Sequence, residues 1–218
     1  MRTPIIIAIL AVGAPIMAAE PEADTNATIY AFVDILPDDS DLSATNDLGS
    51  GDIDGAKWDD HWRAGVGLSA QHLLSEVGGP LLTYGFELGY NRYLADDDES
   101  EFTGRALIIS PRIGIGFHAF EWLFLEGSAF AGAGVSEFTY RVDPLSIDET
   151  SDLALATEYG LQASATFALA ETLLLGARVG WIAQQLEGEF EGDPPFVDTT
   201  LESDTTGVYY GLLAGLRF

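Results

Sequence analysis

Isolated charges recur on one face of the apolar segments of this chain, and the chemistry open to them is ion pairing. Eight segments alternate between apolar residues on one face and small or polar residues on the other. The second face carries one charge in each segment, four acidic and four basic: Asp34, Arg63, Glu87, Arg112, Glu126, Glu158, Arg178 and Arg217. A charge held away from water is costly alone and tolerated when it is paired. We therefore expect an interior network of arginine–carboxylate pairs.

The distance of each charge from the nearest short turn decides which of them can meet. By that count Arg217 lies near one end, and Arg63 and Glu158 lie at other heights of the network. The expected central cluster is Asp34, Glu87, Arg112, Glu126 and Arg178. The alternative is that all eight are solvated charges on the surface of a soluble sheet.

Catalytic chemistry has little support in the residue types. The three histidines, His61, His72 and His118, fall in different segments, and there is no cysteine, so a zinc site would need histidines to converge with carboxylates. A serine hydrolase needs a serine beside a histidine and an acid, and no G-x-S-x-G occurs. We expect no catalytic residue, no resident metal and no cofactor. A lipid-modifying enzyme stays open as an alternative.

The acidic residues suggest weak binding of cations. The stretch SGDIDG places Asp52, Asp54 and Gly55 as in a calcium loop, but the twelfth position is His61 instead of a bidentate glutamate. Clustered carboxylates still lower their mutual repulsion by recruiting Mg²⁺ or Ca²⁺. Divalent cations are thus possible partners of the acidic loops, whereas the simpler alternative is that these acids only keep the loops solvated.

The elements that must position the charges are strands. A period of two runs through segments of about ten residues or more, and no helical period has comparable length. The segments are Ala27 to Leu36, Trp62 to Leu73, Leu81 to Tyr93, Thr103 to Ala119, Leu123 to Tyr140, Leu153 to Phe167, Thr172 to Leu186 and Thr206 to Phe218. Long acidic connections at 37–60, 94–101, 141–152 and 187–205 take turns with short ones. In an up-and-down sheet, all the long loops then share one end.

The composition of the two faces decides what surrounds the sheet. The polar face is rich in Gly, Ser and Gln, as at Gly85 and Gln162, where a water-exposed strand would carry Lys, Glu and Thr. Glycine inside a narrow barrel makes room for a large neighbour. The sequence therefore predicts an all-β, eight-stranded antiparallel up-and-down transmembrane β-barrel with its apolar face in lipid. A soluble lipocalin-like barrel would have the opposite arrangement.

Aromatic residues gather near both ends of the segments, as in the interfacial girdles of a membrane barrel. Those expected near the short turns are Phe117, Phe120, Trp122 and Phe124, and those expected toward the long loops are Trp62, Tyr90, Tyr93 and Trp181.

The amino terminus and the net charge indicate export and exclude some partners. Residues 1–19 join a basic start at Arg2 to an apolar run from Ile5 and small residues at Ala18 and Ala19, the pattern of a secretory signal peptide, so residues 20–218 are the expected barrel domain. The net charge of −26 makes nucleic acid a poor partner.

The carboxyl end carries a resemblance. Alternating apolar residues run through Tyr210, Leu212, Leu216 and the final Phe218. This segment resembles the last strand of small bacterial outer-membrane barrels of the OmpA and OmpX type. The resemblance implies that the barrel assembly machinery reads this segment, that outer-membrane lipid surrounds the chain, and that the loops are extracellular and the short turns periplasmic. The charge-plugged lumen and the acidic loops lead us to expect a role in envelope structure or surface interaction. The alternative is a narrow channel for small solutes that prefers cations because of its acidic mouth, if the lumen charges leave a connected path for water.

Overall fold

The computed structural model describes residues 26–37, 40–46, 49–52, 60–74, 79–97, 100–142, 147–190 and 199–218. The strands in them are β1 (Asn26–Ile35), β2 (Ser40–Asn46), β3 (Gly49–Asp52), β4 (Asp60–Leu73), β5 (Leu81–Asp97), β6 (Ser100–Phe120), β7 (Leu123–Val142), β8 (Ile147–Thr150), β9 (Asp152–Ala168), β10 (Leu173–Phe190) and β11 (Thr199–Arg217). Within these residues no helix is long and apolar enough to cross a membrane.

Eight of the strands close into a ring. They follow one another in the order β1, β4, β5, β6, β7, β9, β10, β11, and β11 pairs back with β1 in antiparallel register, with Val33 opposite Leu212. The backbone nitrogen of Phe218 donates to the Ala27 carbonyl oxygen at 2.9 Å, so pairing continues to the final residue. The predicted eight-stranded up-and-down barrel is confirmed.

An apolar band surrounds the lower part of the barrel, the part nearer the short turns. Every outward residue from 208 to 218 on β11 and at its end is apolar, and the same holds from 173 to 183 on β10. Each of these stretches is eleven residues long. Tilted strands need about 9–11 residues to cross the hydrocarbon layer. Leu212 and Phe218 are each 69% exposed, as lipid-facing side chains would be. The band therefore matches one bilayer, and the lipocalin-like alternative is wrong for this part of the barrel.

Exterior aromatic residues mark both edges of the band. Trp62 and Tyr90 lie 5.9 Å apart between ring centroids at the upper edge, and Trp122 and Phe167 lie 5.9 Å apart at the lower edge. Phe124 and Tyr93 are exceptions to the expected girdles, because both side chains are buried in the lumen. Their positions share the parity of inward residues, since Glu126 and Asn91 are two residues away and also buried.

The strands continue above the band into stretches expected to be loops. The wall strands β10 and β11 stay paired up to Phe190 opposite Thr199, so Glu187 and Glu202 are strand residues on the outer surface. In place of a continuous loop, β2 and β3 form a hairpin, and β2 pairs with the upper part of β11. Likewise β8 extends the line of β9 and pairs with β7. A strand can carry charged side chains on a face that is exposed to water. The acidic composition of these stretches therefore did not distinguish a strand from a loop.

The interior reverses its character above the band. There eight buried apolar residues form one cluster, beside buried polar residues such as Asn91, Ser136 and Ser203. The cluster is Tyr93, Ala106, Ile108, Phe138, Ala156, Leu186, Phe190 and Leu201. The outer surface at this level carries acids such as Glu202. This is the arrangement of a water-soluble barrel, because the wall here faces water and only the inside can bury apolar surface. The rule of polar inside and apolar outside holds only within the band.

A charge placed on the lipid face tests the position of the band. Leu212→Arg is expected to lower the free energy of unfolding by about 2–4 kcal/mol, since Leu212 lies near the middle of the band. Thr206→Arg, on the same face just above the band, is the matched control and should cost under about 1 kcal/mol. Chemical denaturation in lipid vesicles, followed by tryptophan fluorescence, measures both. Equal costs would contradict the placement.

Candidate functional site

Seven of the eight predicted charges project into the lumen and meet in one network, each from a different strand. The contributions are Asp34 from β1, Arg63 from β4, Glu87 from β5, Arg112 from β6, Glu126 from β7, Glu158 from β9 and Arg178 from β10. Successive side chains of a strand point to opposite faces, so each of these side chains points inward while its two sequence neighbours point outward. We call this set the lumen ion-pair network.

Glu87 lies at the centre of the network. Its Oε2 accepts a hydrogen bond from Arg63 at 2.7 Å, and its Oε1 accepts from Arg178 at 2.7 Å and from Arg112 at 3.2 Å. The Tyr30 hydroxyl also donates to Oε1, at 2.8 Å. One carboxylate thus holds three guanidinium groups from three strands. Charge-assisted hydrogen bonds of this kind are stronger than neutral ones, and burial strengthens them further.

Arg178 and Asp34 form a bidentate pair over Gly211 of β11, the strand between theirs. The Nε and Nη2 atoms of Arg178 donate to the two carboxylate oxygens of Asp34 at 2.7 and 2.6 Å, and neither side chain is exposed. The guanidinium also lies over the Phe32 ring, 4.1 Å from its centroid. A planar guanidinium can satisfy a carboxylate and stack on an aromatic face at once, whereas a lysine could not.

Two further carboxylates extend the network toward the two ends of the lumen. On the lower side, Arg112 pairs with Glu126. On the upper side, Glu158 accepts from Gln184 at 2.8 Å and from Ser110, and its Oε1 lies 3.2 Å from Nη1 of Arg63.

The expected separation of Arg63 and Glu158 from the central cluster is wrong. The long Arg63 side chain spans the difference in height and contacts both Glu87 and Glu158. Strand offsets counted from turns locate Cα atoms, and an arginine head group lies several ångströms from its own Cα.

Arg217 stands apart from the network, near the short-turn end. Its Nη2 donates to the backbone oxygen of Glu171 at 3.2 Å. The network therefore contains four carboxylates and three guanidinium groups, with one negative charge in excess. The expected position of Arg217 agrees with the structure.

Aromatic residues of the lumen were the part of the site that sequence reasoning missed. Tyr30 and Phe32 are 5% and 3% exposed and line the network from β1. The Tyr209 hydroxyl lies 2.7 Å from the side-chain amide of Gln162, and its ring packs with Phe130, Ile182 and Leu36. Parity could have found them, since Tyr30 and Phe32 lie four and two residues before Asp34. Aromatic residues are also typical of a lipid-facing surface, so residue type alone did not point to the lumen.

The network is closed from above and open from below. Above it lie the small apolar group around Tyr209 and then the apolar cluster around Phe138. Below it, a cavity of about 50 Å³ is lined by Thr28, Gln71, His118, Glu126 and Arg217, and Arg112 lies at its inner end. Water can therefore reach the lower face of the network from the short-turn end, while two apolar clusters lie above the network.

The remaining predicted positions contribute contacts but no chemical constellation. Nδ1 of His61 lies 2.7 Å from the Pro37 carbonyl oxygen, and its ring lies 4.0 Å from that of Tyr93. The His118 ring lies 5.1 Å from that of Phe124. Within the described ranges, no group of three or more metal-ligating side chains converges.

Some expectations fall on residues that are not described. Residues 1–25, with the expected signal peptide, lie outside the described residues, as do Asp54 and Gly55. Much of the acidic loop sequence lies there too, so cation binding by these loops stays a prediction. Tyr210, Leu212, Leu216 and Phe218 are described and face outward on β11 and at its end.

The closed ring, the apolar band of bilayer height and the charged lumen define a small transmembrane β-barrel of the outer-membrane type. The resemblance drawn from the carboxyl end is thereby confirmed at the level of class.

Comparison with solved structures finds small outer-membrane barrels. Ail of Yersinia pestis is 16% identical, with 89% of this chain and 99% of that chain covered and a TM-score of 0.40. OprG of Pseudomonas aeruginosa is 14% identical, with 90% and 97% covered and a TM-score of 0.42. The protease OmpT of Escherichia coli is 10% identical, with 90% and 96% covered and a TM-score of 0.47. No family model matches the chain, and no curated protein matches its sequence.

Removing one guanidinium tests whether the network carries stability. Arg178→Gln leaves Asp34 buried with Arg63 as its remaining ion pair, at 4.0 Å, and should lower the free energy of unfolding by about 3–5 kcal/mol. Arg141→Gln is the control, because Arg141 and its partner Asp148 are half exposed, and it should cost under about 1 kcal/mol. Denaturation of both variants in vesicles decides it. A loss for Arg178→Gln no larger than the control's would contradict this account.

A second variant tests the room that glycine leaves in the lumen. A Cβ at Gly211 would overlap Oδ1 of Asp34 and lie 2.9 Å from the Val33 carbonyl oxygen, so Gly211→Ala should displace the Asp34–Arg178 pair and cost about 1–3 kcal/mol. Gly127→Ala on the lipid face meets nothing within 4 Å and should leave stability unchanged. The unfolding temperature of each variant, measured by the gel shift between folded and unfolded protein, compares them. A destabilised Gly127→Ala with a stable Gly211→Ala would reverse the assignment of faces.

Proposed function

We propose that this chain is a non-conducting, non-enzymatic outer-membrane barrel that serves envelope structure or surface interaction. The observation that carries the proposal is the double closure of the lumen, by the ion-pair network and by the apolar cluster above it. A barrel interior packed with buried ion pairs and aromatic rings provides rigidity and leaves no described path through the upper half.

The surface that such a barrel would present is the acidic strand extension above the band. Glu187 and Glu202 lie directly opposite each other on its outer face, and Glu189 and Asp204 are also exposed there. An acidic surface favours basic partners or divalent cations. We propose that this end is extracellular and that the short turns are periplasmic, as in bacterial barrels with short periplasmic turns and longer outer loops.

The carboxyl end supports a route of assembly. Tyr210, Leu212, Leu216 and Phe218 form an exposed apolar row on the closing strand. We propose that the barrel assembly machinery recognises this row before β11 pairs with β1.

Contacts of the histidines support the non-enzymatic part of the proposal. The His61 ring is 2% exposed and held against Pro37 and Tyr93, which leaves no room for substrate beside it. His118 contacts an aromatic ring and faces the lower cavity.

A narrow channel is the second candidate, because the lower cavity already reaches Arg112 and Glu126. Conductance in planar bilayers separates the two candidates. The wild-type chain should give no steady openings, since both closures would have to open together. Phe138→Ala, which thins only the apolar cluster, should also stay silent because the ion-pair network remains. An open porin in the same bilayers shows that insertion is detected. Steady cation-selective openings of the wild type would support the channel instead.

A further inference from the structure

Two arginines lie side by side on the outside of the barrel, at the upper edge of the apolar band. Arg92 on β5 is directly opposite Arg105 on β6. Both face outward, since Asn91 and Tyr93 beside Arg92 are fully buried and Arg105 has an exposed side chain. Directly opposed residues in a sheet have Cβ atoms about 4.5–5.5 Å apart, and like charges at that distance are unfavourable unless an anion bridges them.

The carboxylates nearby compensate only part of this charge. Glu137 is opposite Arg105 on the other side, but their ion pair is 3.5 Å long and the two side chains are 49% and 33% exposed, which makes it weak. Glu101, further up β6, accepts a hydrogen bond from Thr103. Within the described part of the chain, Arg92 makes no ion pair. The two opposed arginines therefore carry more positive charge than the single ion pair with Glu137 compensates, on a chain whose net charge is −26.

The height of the pair matches lipid head groups. Trp62 is opposite Arg92 on β4, and Tyr90 precedes it by two residues on the same face. These two rings mark the upper edge of the band, where aromatic side chains sit at the membrane–water interface. A guanidinium at this depth meets phosphate groups of lipids, and arginine binds phosphate in a bidentate manner.

A shallow groove leads down from Arg105 into the band. Its volume is about 170 Å³, and its lower wall is formed by Tyr90, Leu107 and Val135. Arg105 and Glu137 lie at its upper, charged end, beside Leu153. An apolar groove that ends beside a cationic pair fits a molecule with a phosphate head and a hydrocarbon tail.

We propose that Arg92 and Arg105 bind the phosphate of an anionic lipid in the outer leaflet, with one acyl chain of that lipid in the adjoining groove. This inference rests on the proposed placement in a membrane with the long-loop end outward. It does not depend on whether the lumen conducts.

Lipid binding by the refolded full chain tests the proposal. Insertion is checked first, by protection of the chain from protease in vesicles, and a failure there would count against the membrane placement itself. Native mass spectrometry from detergent then measures retention of two probes, bisphosphorylated lipid A and the same lipid with its phosphates removed. The double variant Arg92→Gln, Arg105→Gln should bind the phosphorylated probe at least tenfold more weakly than wild type, in line with the loss of charge-assisted hydrogen bonds. The dephosphorylated probe should bind both chains equally.

The matched control is Arg141→Gln, an exposed arginine higher on β7, which should retain wild-type binding. Excess inorganic phosphate should displace the phosphorylated lipid only weakly, because it lacks the acyl chain. Equal binding of the phosphorylated probe to wild type and the double variant would overturn the proposal. So would full displacement by inorganic phosphate, which would indicate a site for the free ion.

Discussion

Every other feature of this barrel depends on the absence of water in the hydrocarbon layer. A backbone N–H or C=O left unpaired there costs several kcal/mol, so a sheet can cross only when it has no edge. The pairing of β11 with β1, from Ile35 opposite Tyr210 to Thr28 opposite Arg217, provides that closure. Closure brings together inward residues from eight strands, and the lumen chemistry follows from it.

Within the band, each buried charge of the lumen is stabilised because the central groups bind several oppositely charged partners at once. Glu87 serves three arginines, and Arg178 serves both Glu87 and Asp34 while it stacks on Phe32. A single buried pair often contributes little net stability, because desolvation offsets the attraction between its charges. A network with several hydrogen bonds per charge keeps more of that attraction, and it fixes the relative positions of the strands that supply it.

Above the band the same strands follow the opposite rule. Acids face outward on β10 and β11, and Phe138, Leu186 and Leu201 pack inside. The change occurs within continuous strands, between Trp181 and Gln185 on β10, and it follows the change of surroundings from lipid to water. One chain thus combines a membrane barrel with an upper barrel whose outer surface suits water.

The sequence by itself determined the eight wall strands, their inward and outward faces in the band, and the identity of the charged lumen residues. It could do so because side chains alternate along a strand and because a charge in lipid is costly, and both rules act on each residue locally. It did not determine that acidic stretches such as 199–205 continue as strands, since their acids suit an outward strand face as well as a loop. The tertiary structure alone decided that Arg63 reaches Glu158, that Tyr30 and Phe32 line the network, and that Arg92 lies beside Arg105. These contacts depend on the register between strands and on how far side chains extend into the lumen. The spacing of residues along one strand determines neither of them.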